Sequence, residues 1–161
     1  SAFAIKTDGT LFGWGDNSQG QLGLNNRTDY SSPKQVPGTT WDKVGSGTYN
    51  CIATKTDGTL WAWGWSPNGN LGLNTAGDNA KYSSPVQIPG TTWSDVESGF
   101  SYNTWGIKTD GTLWSWGDNS QGQLGLNNRT KYSSPVQVGS DTDWSWVTSG
   151  SYRGALIGKN K

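Results

Sequence analysis

The side chains of this chain that could do acid–base chemistry are carboxylates, and they are scattered. Six of them fall in or near segments expected to connect strands: Asp16, Asp42, Asp95, Glu97, Asp141 and Asp143. A glycosidase needs two carboxyl groups facing each other across a sugar bond, and no motif pairs these six. The chain has no histidine and one cysteine, Cys51, which removes the usual general base and zinc ligand. We therefore expect no enzymatic activity, no metal site and no cofactor.

Charge and composition narrow the class of protein further. Twelve basic and twelve acidic residues cancel, so nothing indicates a nucleic-acid partner. No stretch approaches the roughly 18 apolar residues of a membrane-spanning helix, and we expect no membrane insertion. Only 31% of residues are hydrophobic, but 11 are Trp and 24 are Gly. Because each Trp can bury a large area, this composition favours many short strands joined by tight turns.

An internal repeat organises the chain. TDGTL occurs at 7–11, 56–60 and 109–113, and residues 5–36 and 107–138 are identical at 28 of 32 positions. We predict a single propeller segment over 1–161, with repeat units at approximately 7–55, 56–108 and 109–161. The middle unit carries about three extra residues in NTAGDNAKY and one more near Phe100.

The local patterns within each unit are those of β-structure. Asp-Gly between apolar runs predicts a hairpin at Asp57-Gly58 and at its two counterparts. SSPVQV predicts a short strand. Its Pro confines that strand to a sheet edge or occupies the start of the strand. WDKVGSG and its counterparts make a fourth strand. Four short strands in about 50 residues describe one propeller blade.

Strand alternation indicates how the blades pack. In TLFGWG, Leu11 and Gly13 point to one face, and Phe12 and Trp14 point to the other. Neither face is polar, so both must be covered. We predict an all-β propeller of four-stranded antiparallel blades, with the aromatic face of one blade against the small-residue face of the next. A β-solenoid and a sandwich are the alternatives.

The motif Trp-Gly-Asp-Asn-x-x-Gly-Gln-Leu-Gly after a hairpin, followed by Ser-Pro-x-x-Val and Val-x-Ser-Gly, resembles the repeat of the regulator of chromosome condensation family. The resemblance implies a propeller, seven-bladed in family members. It implies no single function, because the family includes a guanine-nucleotide exchange factor, a secreted β-lactamase inhibitor and many bacterial and phage proteins. The exchange activity is not carried over, because this chain lacks a long insertion.

We expect the residues shared by the repeats to be structural. Asn and Asp side chains form hydrogen bonds with nearby backbone groups, and Gly adopts backbone dihedral angles that other residues disfavour. A metal loop is the alternative, but it has one carboxylate, Asp16 or Asp118, where calcium needs several ligands. The repeat signature comprises Trp14, Gly15, Gly20, Leu22, Gly23, Trp63, Gly64, Gly69, Leu71, Gly72, Trp116, Gly117, Gly122, Leu124 and Gly125.

Departures from the repeat point to candidate binding residues. Trp65 stands where the other units have Asp, so it either contacts a partner at a blade rim or packs on the NTAGDNAKY loop. The N-glycosylation pattern occurs twice, at Asn26-Arg27-Thr28 and at Asn128-Arg129-Thr130. The Arg of each copy would present the same cation on two blades. The candidate partner-binding residues are Trp65, Tyr30, Tyr82, Tyr132, Arg27 and Arg129.

Three units cannot close a ring, because propellers need about four blades or more. The chain starts with Ser, contains no Met, and begins and ends inside a blade. We expect either a fragment of a longer protein, which we favour, or a ring closed by several copies. For function we predict a non-catalytic scaffold that binds a protein partner through rim loops, with a surface, secreted or phage-particle location. A glycan-binding propeller and a purely structural, self-assembling ring are the alternatives.

Overall fold

The structure is a computed structural model that describes residues 1–149 and 155–159. Within those residues the regular structure consists of thirteen β-strands, and no helix is long and apolar enough to cross a membrane. The strands are β1 (Ala2–Ile5), β2 (Leu11–Gly15), β3 (Tyr30–Gln35), β4 (Trp41–Ser46), β5 (Asn50–Lys55), β6 (Leu60–Trp65), β7 (Lys81–Ile88), β8 (Trp93–Ser98), β9 (Asn103–Lys108), β10 (Leu113–Gly117), β11 (Tyr132–Gln137), β12 (Trp146–Ser149) and β13 (Ala155–Gly158).

These strands form four antiparallel sheets, each in sequence order. Two sheets have four strands, β4-β5-β6-β7 and β8-β9-β10-β11. The first sheet has the three strands β1-β2-β3, and the last has the two strands β12-β13. The predicted all-β architecture with four-stranded antiparallel blades is therefore confirmed, and the described residues amount to about three blades.

The blades are offset from the sequence units. β4 follows β3 along the chain, yet it pairs with β5 in the next sheet, from Trp41↔Lys55 to Ser46↔Cys51. β8 pairs with β9 in the same way. Each unit therefore contributes strands to two successive sheets. Residues 150–154 and 160–161 of the third predicted unit, including Gly150 of its Ser-Gly turn, lie outside the described residues.

The predicted hairpins form at all three Asp-Gly pairs. In the middle one, the Lys55 amide donates to the Thr59 carbonyl at 3.0 Å, and Gly58 has a φ of 77°. Asp57 Oδ1 accepts bonds from the Thr59 amide and hydroxyl at 3.0 and 2.6 Å. This Asx turn supplies the bend, and Gly supplies the left-handed conformation that the turn requires.

The face alternation confirms the predicted packing between blades. The fully buried Trp116 of β10 packs into a cluster with Leu60 and Ala62 of the preceding sheet. Trp63 of β6 packs in the same way against Leu11 of the first sheet. Each large indole thus fills the space left by small residues on its neighbour, as close packing requires.

The first strands of the two complete sheets lie against each other. β4 and β8 come so close that a Cβ on Gly45 would lie 2.8 Å from Glu97 Cα. The outermost strands β3, β7 and β11 each carry a Pro, where a missing amide costs no ladder hydrogen bond. Because the strands alternate in direction, their connections fall at two ends. We call these the corner end (16–29, 47–49, 66–80, 99–102 and 118–131) and the hairpin end (6–10, 36–40, 56–59, 89–92, 109–112 and 138–145).

Candidate functional site: the corner end of the propeller

A buried asparagine organises each full copy of the corner loop. Asn17 Nδ2 donates to the carbonyls of Asn26 and Thr28 at 3.1 and 3.0 Å, and its Oδ1 accepts from the Leu22 amide at 2.9 Å. Asn119 makes the equivalent bonds to Asn128 and Leu124. The loop therefore folds around one asparagine side chain, which forms hydrogen bonds with backbone groups that lack a backbone partner in the loop.

The preceding carboxylates are also held inside their loops. Asp16 accepts bonds from the Ser18 amide at 3.0 Å and Gln21 Nε2 at 2.7 Å, and the Ser18 bond chiefly lowers the pKa of Asp16. Burial alone would raise the pKa of Asp118. Bonds from Ser120, Lys131 and Gln123 outweigh that effect and lower it. In the described residues no group of three or more His, Cys, Asp or Glu side chains could hold a metal.

Corner loops also join neighbouring blades. Trp63 Nε1 donates to the Gln21 carbonyl of the preceding blade at 2.9 Å, and Trp116 Nε1 donates to the Asn70 carbonyl at 3.1 Å. The indoles leave no room on the loop, because a Cβ on Gly72 would lie 2.8 Å from Trp116 Nε1. Leu22, Leu71 and Leu124 are fully buried. Most of the repeat signature is therefore engaged in loop and blade packing.

The middle loop departs from this design. Ser66 stands in place of the buried Asn and accepts a longer bond from the Leu71 amide, at 3.3 Å. Trp65 replaces the Asp, and Asn70 Nδ2 donates to its carbonyl at 3.0 Å. The change at position 65 removes a carboxylate from the corner end and places an indole there.

The Trp65 indole lies in a cluster of aromatic residues. Its centroid is 5.9 Å from the Tyr49 ring and 5.8 Å from the Tyr102 ring of the next blade. Lys81 Nζ, from the first residue of β7, lies 5.3 Å from the Trp65 centroid. Trp65 therefore packs against the start of the strand that follows the long loop. It also bridges two blades and is half-buried. Burial raises the pKa of Tyr102, with a smaller contribution from Tyr49.

An exposed phenylalanine lies two residues before Tyr102 on the same corner loop. Phe100 is 57% exposed, and its carbonyl accepts a bond from Thr48 Oγ1 of the preceding blade at 2.9 Å. We call Tyr49, Trp65, Phe100 and Tyr102 the aromatic patch. Trp65 was among the residues predicted from the sequence, and the other three were not. The available signals were the one-residue insertion at Phe100 and the Tyr that follows each Ser-Gly pair of the sequence.

The three predicted tyrosines lie on three different sheets, at equivalent positions of the outermost strands. The hydroxyls of Tyr30 and Tyr132 accept bonds at 3.2 Å from Asn26 and Asn128. The Tyr82 hydroxyl lies 3.1 Å from Thr75 Oγ1. Each tyrosine braces its own corner loop, and the structure does not bring the three together with Trp65 in one site.

The repeated cations lie on the loops of the first and third sheets. Arg27 and Arg129 are exposed, and neither forms an ion pair within the described residues. The amide groups of the two glycosylation motifs are already engaged. Asn26 Nδ2 donates to the Leu24 carbonyl and Asn128 Nδ2 to the Leu126 carbonyl. A glycan at either position would break the bond that supports its loop.

Comparison with known proteins agrees with this architecture. The model of the regulator of chromosome condensation (RCC1) repeat matches residues 8–54, 57–103 and 110–157, and a second model of the repeat matches 93–123. The ultraviolet-B receptor UVR8 of Arabidopsis thaliana is 35% identical over 84% of this chain, and the probable E3 ubiquitin-protein ligase HERC3 of Homo sapiens is 30% identical over 85%. The chain spans 31% and 13% of the lengths of those relatives.

Solved structures show the same fold. Saccharomyces cerevisiae Prp20p superposes with a TM-score of 0.81 at 19% identity, over 99% of this chain and 41% of that chain. Human WBSCR16 superposes with a TM-score of 0.77 at 24% identity, over 92% and 39%. The Prp20p structure was described together with its binding properties to Gsp1p and histones, and a second structure holds yeast RCC1 (Prp20) bound to Kap60.

Proposed function

Because the chain belongs to the family of regulator of chromosome condensation repeat proteins, we propose that it is a non-catalytic β-propeller scaffold that binds a protein partner through its corner end. The observation that carries this proposal is the aromatic patch. Aromatic residues are enriched in the energetically dominant parts of protein interfaces. Prp20p, which binds proteins, has a similar fold.

The carboxylates of the chain support a non-catalytic role. Five of the six that the sequence singles out are engaged in internal contacts. Asp16 is held in its loop, Asp95 Oδ2 accepts the Val147 amide at 2.9 Å, and Glu97 Oε1 accepts the Ser98 amide at 3.0 Å. Asp141 and Asp143 pair with Lys159. A general acid or base must instead face its substrate with a proton to transfer.

Among the partner classes, a protein is favoured over a glycan. Sugar rings stack on open aromatic faces, whereas Lys81 lies over Trp65, and the Tyr30 and Tyr132 hydroxyls are bonded within the chain. Glycan binding, a purely structural self-assembling role and a surface, secreted or phage-particle setting remain predictions.

Photo-crosslinking followed by quantitative binding tests the proposal. A photoreactive amino acid at position 100 should capture a partner that the same group at the exposed position 140, on the hairpin end, does not. With that partner purified, Trp65→Asp and Phe100→Ser should each weaken binding by about tenfold or more, as expected for interface anchors. Trp65→Asp restores the residue type of the other two units, so it should keep the fold.

The outcome that contradicts the proposal is equally clear. If both variants keep their thermal stability and bind the captured protein with unchanged affinity, the aromatic patch is not the interface. Crosslinks formed only between copies of the chain would support the self-assembling alternative instead.

A further inference from the structure

At the hairpin end, a lysine at the end of a strand lies over two indole rings of its own blade. Lys55 Nζ is 4.8 Å from the Trp41 centroid and 4.5 Å from the Trp61 centroid. Lys108 Nζ is 5.0 Å from the Trp93 centroid and 4.2 Å from the Trp114 centroid. The register places each lysine directly across from the first indole, as Trp41↔Lys55 and Trp93↔Lys108. Cation–π attraction therefore fixes two ammonium groups in equivalent positions on adjacent blades.

The next blade shows what such an ammonium group can hold. Lys159 occupies the equivalent position over Trp144, at 4.8 Å. Its Nζ pairs with Asp141 Oδ2 at 3.2 Å and Asp143 Oδ1 at 2.6 Å. The bond from Asp143, followed by that from Asp141, raises the pKa of Lys159. The chain thus supplies two carboxylates of its own to this lysine.

The other two blades lack those carboxylates. Counted back from the indole, the positions of Asp141 and Asp143 are Gly38 and Thr40 in one unit, and Gly90 and Thr92 in the other. Within the described residues no carboxylate forms an ion pair with Lys55 or Lys108.

Space and a second donor are present at Lys55. A Cβ on Gly38 would lie 3.5 Å from Lys55 Nζ and 3.6 Å from Trp41 Nε1. That indole N–H is buried and has no acceptor in the described part of the chain. Lys55 also lines a cavity of about 400 Å³ between the hairpin at 56–58 and residues 91–94. An incoming acceptor atom would therefore meet the Lys55 ammonium group, while the buried indole N–H lies enclosed behind it.

We propose that Lys55 and Lys108 are anchor points for the carboxylates of an acidic segment of a protein partner. The segment would place side-chain carboxylates at the positions that Asp141 and Asp143 take beside Lys159. Asp42 and Asp57 line the same cavity, and their charge disfavours a dense polyanion. The site therefore selects single Asp or Glu residues spaced to reach adjacent blades. This surface lies at the opposite end from the aromatic patch, and it is independent of the function proposed above.

Peptide binding to the whole chain tests this proposal. The probes are fluorescent peptides with two Glu residues separated by Gly-Ser spacers of several lengths, and matched peptides with Gln in place of Glu. At low salt, one spacer length should bind about tenfold more tightly than its Gln counterpart, and added salt should weaken that preference. Lys55→Gln and Lys108→Gln should each reduce the preference severalfold.

The chain offers an internal mimic as a second variant. Thr40→Asp and Thr92→Asp place a carboxylate where Asp143 lies, and they should abolish Glu-peptide binding by occupying the lysines. Both threonines have positive φ, 65° and 72°, which Asp tolerates better than a β-branched residue. Lys43→Gln removes an exposed lysine of β4 and should change nothing.

Three outcomes overturn the proposal: equal binding of Glu and Gln peptides, unchanged binding by the Thr→Asp variants, or equal competition by free acetate, which indicates a general anion site only. Trp65→Asp and Phe100→Ser should leave peptide binding intact. A failure here is therefore distinguishable from a failure of the corner-end interface.

Discussion

The joint between the second and third blades can be tested by adding one methyl group. Gly72 has a φ of 70°, and its Cβ would lie 2.8 Å from Trp116 Nε1 and 3.2 Å from Cε2. Gly125 is the equivalent glycine of the next unit, with a φ of 71°, and its Cβ would meet Val138 Cγ1 at 3.4 Å, an ordinary contact. The two Gly→Ala substitutions thus share a backbone penalty and differ in the clash with an indole.

The magnitudes follow from these contacts. A left-handed non-glycine residue costs about 1–2 kcal/mol, which both variants share. Overpacking a filled core adds about 1–3 kcal/mol, and it applies to Gly72→Ala alone, because Trp116 is fully buried and donates to the Asn70 carbonyl. We expect Gly72→Ala to reduce the free energy of unfolding by about 2–5 kcal/mol and Gly125→Ala by about 1–2 kcal/mol.

Urea denaturation followed by far-UV circular dichroism measures the difference. Trp116→Phe shrinks the ring and removes its N–H, so Gly72→Ala should cost less in the Trp116→Phe background, and the shortfall is the coupling energy. Equal losses for the two alanine variants, or a Gly72→Ala cost that the Trp116→Phe background leaves unchanged, would refute the assignment of this glycine to the joint.

Three further predictions follow from the described contacts. Asn17→Ala removes the side chain that organises its loop and should reduce the free energy of unfolding by about 2–4 kcal/mol; a thermal melt like that of the wild type would contradict this. Each of the three hairpin carboxylates accepts bonds from the Thr two residues later. The bond from the Thr hydroxyl is the larger cause, and the bond from the Thr amide the smaller one, of a pKa below the usual value of 3.8. Their stabilisation is therefore present above pH 3.8 and lost as the pH falls through the folded-state values, which carboxyl NMR titration would locate for Asp8, Asp57 and Asp110. Burial raises the pKa of the Cys51 thiol, so alkylation at pH 8 should be slow in the native protein and fast in urea. Rapid native labelling would show that the packing between the first and second blades, where Cys51 lies, opens.

The parts of the fold that were predictable from the sequence depend on residues that are close together along the chain. Each Asp-Gly turn depends on two adjacent residues, and each outer strand is marked by its own Pro. The two faces of a strand can be read from alternate letters, so the nesting of Trp116 against Leu60 and Ala62 could be expected.

Longer-range features could not be read in this way. β4 is joined to its neighbours by short connections on both sides, so its sequence does not indicate which sheet it enters. The aromatic patch depends on how two blades meet, because Tyr49 and Tyr102 reach Trp65 from two different blades. The position of Lys55 between two indoles depends on the strand register.

The offset between sequence unit and blade sets how this chain comes apart. A unit that contributes strands to two sheets cannot unfold without exposing the edges of both, and the indoles at those joints lose their partners on the neighbouring loop. Unfolding of one repeat should therefore extend into the next blade. The segment that unfolds cooperatively is then longer than one sequence repeat.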